Sequence, residues 1–147
     1  MDGFIIILHT QLSILNRVPT RRRLVGLPVV RFSDLGIESS LVSCLADQGI
    51  TEPFEVQIEA IPSAMEGRDI CCRAPTGSGK TLAFGLPLIS RTGSAKPKKP
   101  TALILTPTRE LAEQIRNVLD PLAWDSGMKV LSVYGGTSYG KQLRGLE

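Results

Sequence analysis

The order of apolar runs predicts an α/β fold, a parallel sheet with flanking helices, and three observations carry that expectation. The run "TALILTP", Thr101 to Pro107, is almost continuously apolar, as a strand buried on both faces should be. Segments of helical period stand between such runs, so strand, helix, strand, helix, strand implies βαβ units with right-handed crossovers. Between the first expected strand, "DICCRA" from Asp69, and the helix "KTLAFGLPLISR" from Lys80 lies a glycine-rich loop. Ligands of such sheets sit at the C-terminal strand ends, where Ala74, Pro107 and Gly135 fall.

The elements follow in chain order. In "DLGIESSLVSCLADQG", Leu35, Ile37, Leu41, Val42 and Leu45 are spaced for one helical face, and Gly49 supplies the stop. "EPFEVQIEAIPSAMEG" gives Val56, Ile58, Ile61 and Met65 a second face, interrupted by Pro62. Gly93 to Pro100, "GSAKPKKP", reads as a polar surface loop. "TRELAEQIRNVLDPLAW" places Leu111, Ala112, Ile115, Val118 and Leu119 together on a third face, and "KVLSVYGG" reads as a strand ending in paired glycines.

Composition sets the bounds. The 147 residues, 42% hydrophobic and 21% charged, fit one globular domain with a sizeable core. The net charge of +3 belongs to residues 1–30, where four arginines face one aspartate; residues 31–147 are balanced. Any nucleic-acid contact therefore has to rest on specific residues rather than on bulk charge. Cys44, Cys71 and Cys72 have no Cys-x-x-Cys spacing and sit in apolar runs, so buried, reduced thiols in a cytoplasmic protein are expected.

The apolar run Phe4 to Leu8 is too short to span a membrane, and its flanking charges do not fit a signal peptide. Residues 1–30 are expected to be a flexible basic leader, or a non-native start, ahead of a domain at 31–147. His9, the single histidine, lies in that leader, which leaves no histidine for catalysis in the body.

Ala74 to Thr81, "APTGSGKT", matches the phosphate-loop pattern G-x-x-x-x-G-K-[ST] with alanine at the first glycine. Gly77 and Gly79 allow the backbone to turn its N–H groups toward phosphate oxygens, and the helix from Lys80 adds its positive end. Lys80 provides a point charge for β and γ phosphates, and the Thr81 hydroxyl suits Mg²⁺. Upstream, "GITEPFEVQ" ends at Gln57, with Phe32 17 residues before Gly49. A glutamine amide can pair with the N6 and N7 edge of adenine, and an aromatic ring can stack on it. On their own, Gln57 reads more readily as a solvated helix residue and Phe32 as a core aromatic.

Phe32, the Gly49 to Gln57 segment, "APTGSGKT", "PTRELA" and "YGG" occur in the order and spacing of DEAD-box ATP-dependent RNA helicases. Residues 31–147 resemble the first part of the N-terminal RecA-like domain of that family. The resemblance implies a RecA-like P-loop NTPase fold, here incomplete, with ATP and Mg²⁺ as cofactors. It implies adenine contacts from Phe32 and Gln57, and a phosphate and magnesium site from Ala74, Thr76, Gly77, Ser78, Gly79, Lys80 and Thr81. Lys80 and Thr81 would serve catalysis, with Thr81 on the metal. It implies RNA-backbone contacts from Pro107, Thr108, Arg109, Gly135 and Gly136, which position a strand without reading its sequence. For the last group an ordinary helix cap and a strand-ending turn are the plain alternatives.

Two departures accompany the match. Phe54 and Glu55 stand where family members commonly have threonine and proline, which weakens the adenine inference. The sequence also stops at Glu147, before the Asp-Glu-Ala-Asp motif and the second RecA-like domain. Phosphoryl transfer uses an acidic residue on Mg²⁺, a water-positioning residue and an arginine finger. The expectation is therefore binding without hydrolysis or unwinding, with a second RecA-like domain needed for activity. The alternatives are a non-catalytic nucleotide- or RNA-binding module, a DNA helicase, or another P-loop NTPase.

Overall fold

Gly36, at φ 85°, breaks the first expected helix into two pieces, because a left-handed residue cannot continue an α-helix. A 3₁₀ turn, Phe32–Leu35, precedes it, and α1, Ser39–Asp47, follows after the short Ile37–Glu38 link. The computed structural model describes residues 29–93 and 95–147, together with the backbone of Ile5–Ile7. Gly49, at φ 76°, ends the α1 segment as its position requires.

Helix α2, Glu55–Met65, runs through Pro62, and α3 occupies Lys80–Arg91. Helix α4, Arg109–Asp125, begins at Thr108, whose Oγ1 accepts a hydrogen bond from the Leu111 N–H at 3.2 Å. A short α5, Tyr139–Gly145, closes the order. Helix α2 packs on α3, α3 on α4, and α1 on α4. Their shared core holds Phe32, Leu41, Leu45, Ile61, Leu86, Leu119 and Leu122, all essentially inaccessible. At the α3–α4 crossing Gly85 meets Leu119 so closely that a Cβ would collide with its Cδ2, which makes glycine a packing requirement. Arg91 donates to the Met65 carbonyl at 2.6 Å and so ties the end of α3 to the exposed end of α2.

Among the described residues the sheet has two strands. Strand β1, Ile5–Ile7, pairs in parallel with β2, Leu103–Leu105, in the register Ile5 to Leu103, Ile6 to Ile104 and Ile7 to Leu105. Three residues of the stretch read as a leader thus lie in a ladder; the rest of residues 1–28 lies outside the described residues. The apolar run at 101–107 does form a strand, but it is not buried on both faces. Ile104 packs toward the helices, whereas Leu103 and Leu105 are 53% and 51% exposed, so the helices cover one face only.

Among the described residues, the segments expected as strands at 69–74 and 129–136 carry no ladder. A strand needs a neighbour to satisfy its N–H and C=O groups, and neither segment pairs with one. Consequently Cys71 and Cys72 are exposed and Cys44 half-buried, all three as free thiols; the expected burial of the first two needed a sheet around them.

The 128–137 segment is held by side chains instead. Asp120 Oδ1 accepts from the Val130 N–H at 3.1 Å, and Gln142 Oε1 accepts from the Tyr134 N–H at 2.8 Å. Glu113, on α4, lies near the Ser132 and Tyr134 hydroxyls, and their proximity, with a smaller contribution from Arg116, holds its carboxyl below the usual range. The same proximity pushes the Tyr134 phenol up.

Candidate nucleotide and nucleic-acid site

The phosphate-loop residues lie where the sequence predicts, between an extended segment and the N-terminus of a long helix. Gly77 and Gly79 both adopt left-handed backbone, φ 81° and 83°, and Gly79 leads directly into α3. A Cβ at Gly79 would collide with the Gln57 amide nitrogen, so glycine is required there for space as well as for angle. Lys80 reaches back across the loop, its Nζ donating to the Ala74 carbonyl at 2.6 Å and the Pro75 carbonyl at 2.7 Å. Ser78 Oγ is buried and has no hydrogen-bond partner among the described residues.

Beside this loop opens a cleft of about 290 Å³. Gly49, Ile50, Thr51, Phe54, Gln57 and Leu82 are among its lining residues, together with Gly79. The volume lies at the lower end of the range for small-molecule sites. Gln57 is 1% exposed. Its Oε1 accepts from the Phe54 N–H at 2.8 Å, and its Nε2 donates to the Gly79 carbonyl at 2.9 Å. One side chain thus fastens the start of α2 to the phosphate loop. An amide has two donor hydrogens and two acceptor lone pairs, so each end of Gln57 retains one further hydrogen-bonding position.

Phe32 does not line the cleft; it is 1% exposed and belongs to the core beneath the helices. The aromatic ring at the cleft wall is Phe54, 48% exposed. In the sequence Phe54 stood out only as a departure from the family pattern, and its place three residues before Gln57, at the helix cap, was the available signal.

A second cluster forms at the start of α4. Thr108 caps the helix and Pro107 precedes it, exposed. Gly136, at φ 86°, comes against Arg109: a Cβ there would lie 2.8 Å from Arg109 Nη1. The fold therefore brings "PTRELA" and "YGG", some 26 residues apart in sequence, into contact as one exposed surface. It combines an arginine, a helix N-terminus and a turn with two bare glycines, groups suited to anionic oxygens.

A phosphate loop on a RecA-like α/β scaffold defines a class of P-loop nucleotide-binding proteins. The comparisons narrow the class. A family model described as DEAD/DEAH box helicase matches residues 54–147. The chain is 43% identical over 116 residues to the RNA helicase CrhR of Synechocystis, covering 79% of this chain and 23% of that protein. To the ATP-dependent RNA helicase CshA of Listeria monocytogenes it is 40% identical over 119 residues, covering 81% and 23%. Among solved structures, the RNA helicase Prp28 of Chaetomium thermophilum, bound to ADP, superposes with a TM-score of 0.69 at 40% identity, covering 74% of this chain and 28% of that one. A DEAD box protein of Methanococcus jannaschii gives a TM-score of 0.66 at 31% identity, covering 80% and 32%.

The chain belongs to the DEAD/DEAH box helicase family. Its fold is that of the RecA-like domains of those helicases, present in part. It spans about a quarter of the length of the curated relatives it matches.

Proposed function

We propose that this chain binds ATP with Mg²⁺ in the cleft between Phe54, Gln57 and the phosphate loop, and the backbone of RNA at the Arg109 and Gly136 surface. The observation that carries the nucleotide reading is the loop itself. Left-handed Gly77 and Gly79 run into the 12-residue α3 beside a buried Ser78 hydroxyl that lacks a partner among the described residues. An orphaned buried hydroxyl is costly unless something meets it, and a phosphate oxygen is a fitting acceptor. Lys80 would exchange its two neutral carbonyl partners for anionic oxygens, which make shorter and stronger charge-assisted bonds. Thr81, in the first turn of α3, is the residue to hold Mg²⁺, which neutralises charge on the phosphates.

Phe54, at the cleft wall, would stack on the base, and the two spare positions on the Gln57 amide would pair with adenine. Thr108, Arg109, Gly135 and Gly136 would hold phosphates of a single strand without reading bases. Residues 31–147 are the part that binds. Hydrolysis and unwinding call for an acidic metal ligand, a water-positioning residue and an arginine finger, which we assign to a further RecA-like domain and the rest of the first. Free thiols at Cys44, Cys71 and Cys72 support a cytoplasmic setting. No helix among the described residues is long and apolar enough to cross a membrane.

Calorimetric titration with Mg-ATP, with Mg-GTP as control, tests the nucleotide reading in wild type and Lys80→Ala. ATP should bind, GTP should not, and the lysine variant should lose most of the affinity. Equal heats for ATP and GTP, or an unaffected Lys80→Ala, would contradict it.

A further inference from the structure

Among the described residues, no strand ladder holds the turn that carries Gly135 and Gly136, yet it is pinned against Arg109. Gln142, on α5, does the pinning. Its Oε1 accepts from the Tyr134 N–H at 2.8 Å, while its Nε2 donates to the Tyr134 carbonyl at 3.0 Å and to Thr137 Oγ1 at 2.8 Å. Thr137 Oγ1 in turn donates to the Tyr134 carbonyl at 3.3 Å. The side-chain amide thus occupies both backbone groups of Tyr134, as the peptide group of a neighbouring strand would, and closes the turn from the residue before Gly135 to the residue after Gly136.

We propose that Gln142 is a positioning residue for the RNA phosphate site: by holding Tyr134 and Thr137 it sets the direction of the Gly135 and Gly136 N–H groups beside the Arg109 guanidinium. The proposal rests on the reading of that surface as a phosphate site. Three features of the structure support it. Gly135 and Gly136 are exposed, so their N–H groups are available to a ligand, whereas Tyr134 and Gln142 are half-buried and can serve as the fixed base. Gly136 lies directly against the Arg109 guanidinium, so a small movement of the turn changes the spacing of the two donors. Val130, upstream in the same segment, is held separately, its N–H donating to Asp120 Oδ1 at 3.1 Å, so removing the Gln142 amide releases the turn and not the whole segment. A glycine turn released from its anchor loses the preorganisation that makes backbone N–H groups useful for anion binding.

The test is binding of a fluorescent single-stranded oligouridylate as a function of salt, by wild type, Gln142→Met and Gly136→Ala, with Mg-ATP titration as a control for the intact nucleotide site. Methionine keeps the length and helix propensity of glutamine and removes the amide. Binding by Gln142→Met should weaken about tenfold, as expected for losing a charge-assisted bond. A phosphate released from the turn also leaves the Arg109 guanidinium, so the slope of log affinity against log salt should become shallower by about 0.7, the value for one neutralised phosphate of a single strand. ATP affinity should stay unchanged. A merely loosened fold would lower affinity without altering the slope, and that result overturns the proposal. Wild-type affinity and slope in Gln142→Met alongside weakened Gly136→Ala also overturn it, while leaving the phosphate site in place. If Gly136→Ala and Gln142→Met both bind like wild type, the phosphate reading itself fails. Should Gln142→Met lose ATP binding as well, Thr137→Ala, which removes one partner of Nε2 from an exposed residue, decides by the same slope criterion with a smaller drop in affinity.

Discussion

Replacing Gln57 with alanine should destabilise the ligand-free protein, and the size of the effect can be worked from two hydrogen bonds. The substitution strips the partner from the Phe54 N–H and from the Gly79 carbonyl, held at 2.8 and 2.9 Å by a side chain that is 1% exposed. A buried polar group left unpaired costs about 1–3 kcal/mol. The adjoining cleft admits water, so both groups regain part of their solvation and the sum falls toward the lower end, about 2–3 kcal/mol. In a domain of this size that corresponds to a fall in Tm of about 6–12 °C. Thermal unfolding by circular dichroism, with guanidinium titration for the free energy, provides the assay. Gln57→Glu should lie between wild type and alanine, because its carboxylate can still accept from Phe54 N–H but has nothing to offer the Gly79 carbonyl. If Gln57→Ala unfolds within about 0.5 kcal/mol of wild type, a surface-like effect, then Gln57 does not fasten α2 to the phosphate loop.

Other positions give independent checks. Gly85→Ala should cost about 1–3 kcal/mol in denaturant unfolding, because the added methyl collides with Leu119 in the closed α3–α4 crossing. Thr108→Ala should cost about 1 kcal/mol through the lost cap on Leu111 N–H, and Thr108→Ser should restore most of it. The Glu113 carboxyl is lowered in the folded protein, so its contribution is present above its ordinary value of 4.5 and is lost as pH falls through the lowered value. The difference in Tm between wild type and Glu113→Gln should accordingly be constant near neutral pH and vanish in acid; a difference that grows on acidification would reverse the sign of the argument.

Helical period, glycine stops and caps made α3, α4 and much of α1 and α2 legible, because these elements satisfy their own backbone hydrogen bonds and need only a buried face. Thr108 before "RELA" marked the start of α4, and the core residues Leu119 and Ile115 fell on the expected face. The strands were less legible, for a physical reason. "DICCRA" and "KVLSVYGG" have strand composition, but a ladder depends on a neighbour elsewhere in the chain, and no local pattern reports whether one is present. Asp120 and Gln142 took over that role through side-chain bonds to the backbone of Val130 and Tyr134, which have no sequence signature. The phosphate loop was readable from its glycines and lysine. The burial of Phe32 and the double tie made by Gln57 depend on how α2 meets α3, which spacing along one chain does not encode. Helix α5 has only a weak signal, Ser138 at its N-cap, which the paired glycines just before it mask.

The central claim, two separate ligand surfaces on one partial RecA-like domain, is tested most directly by backbone amide NMR of the labelled chain. Mg-ATP should move the signals of Gly77, Ser78 and Gly79 together with the Gln57 side-chain amide, and oligouridylate should move those of Gly135, Gly136 and Arg109. Separate responses of this kind are the predicted result. Silence of the loop glycines on adding Mg-ATP, in a protein whose spectrum is otherwise folded, would contradict the account.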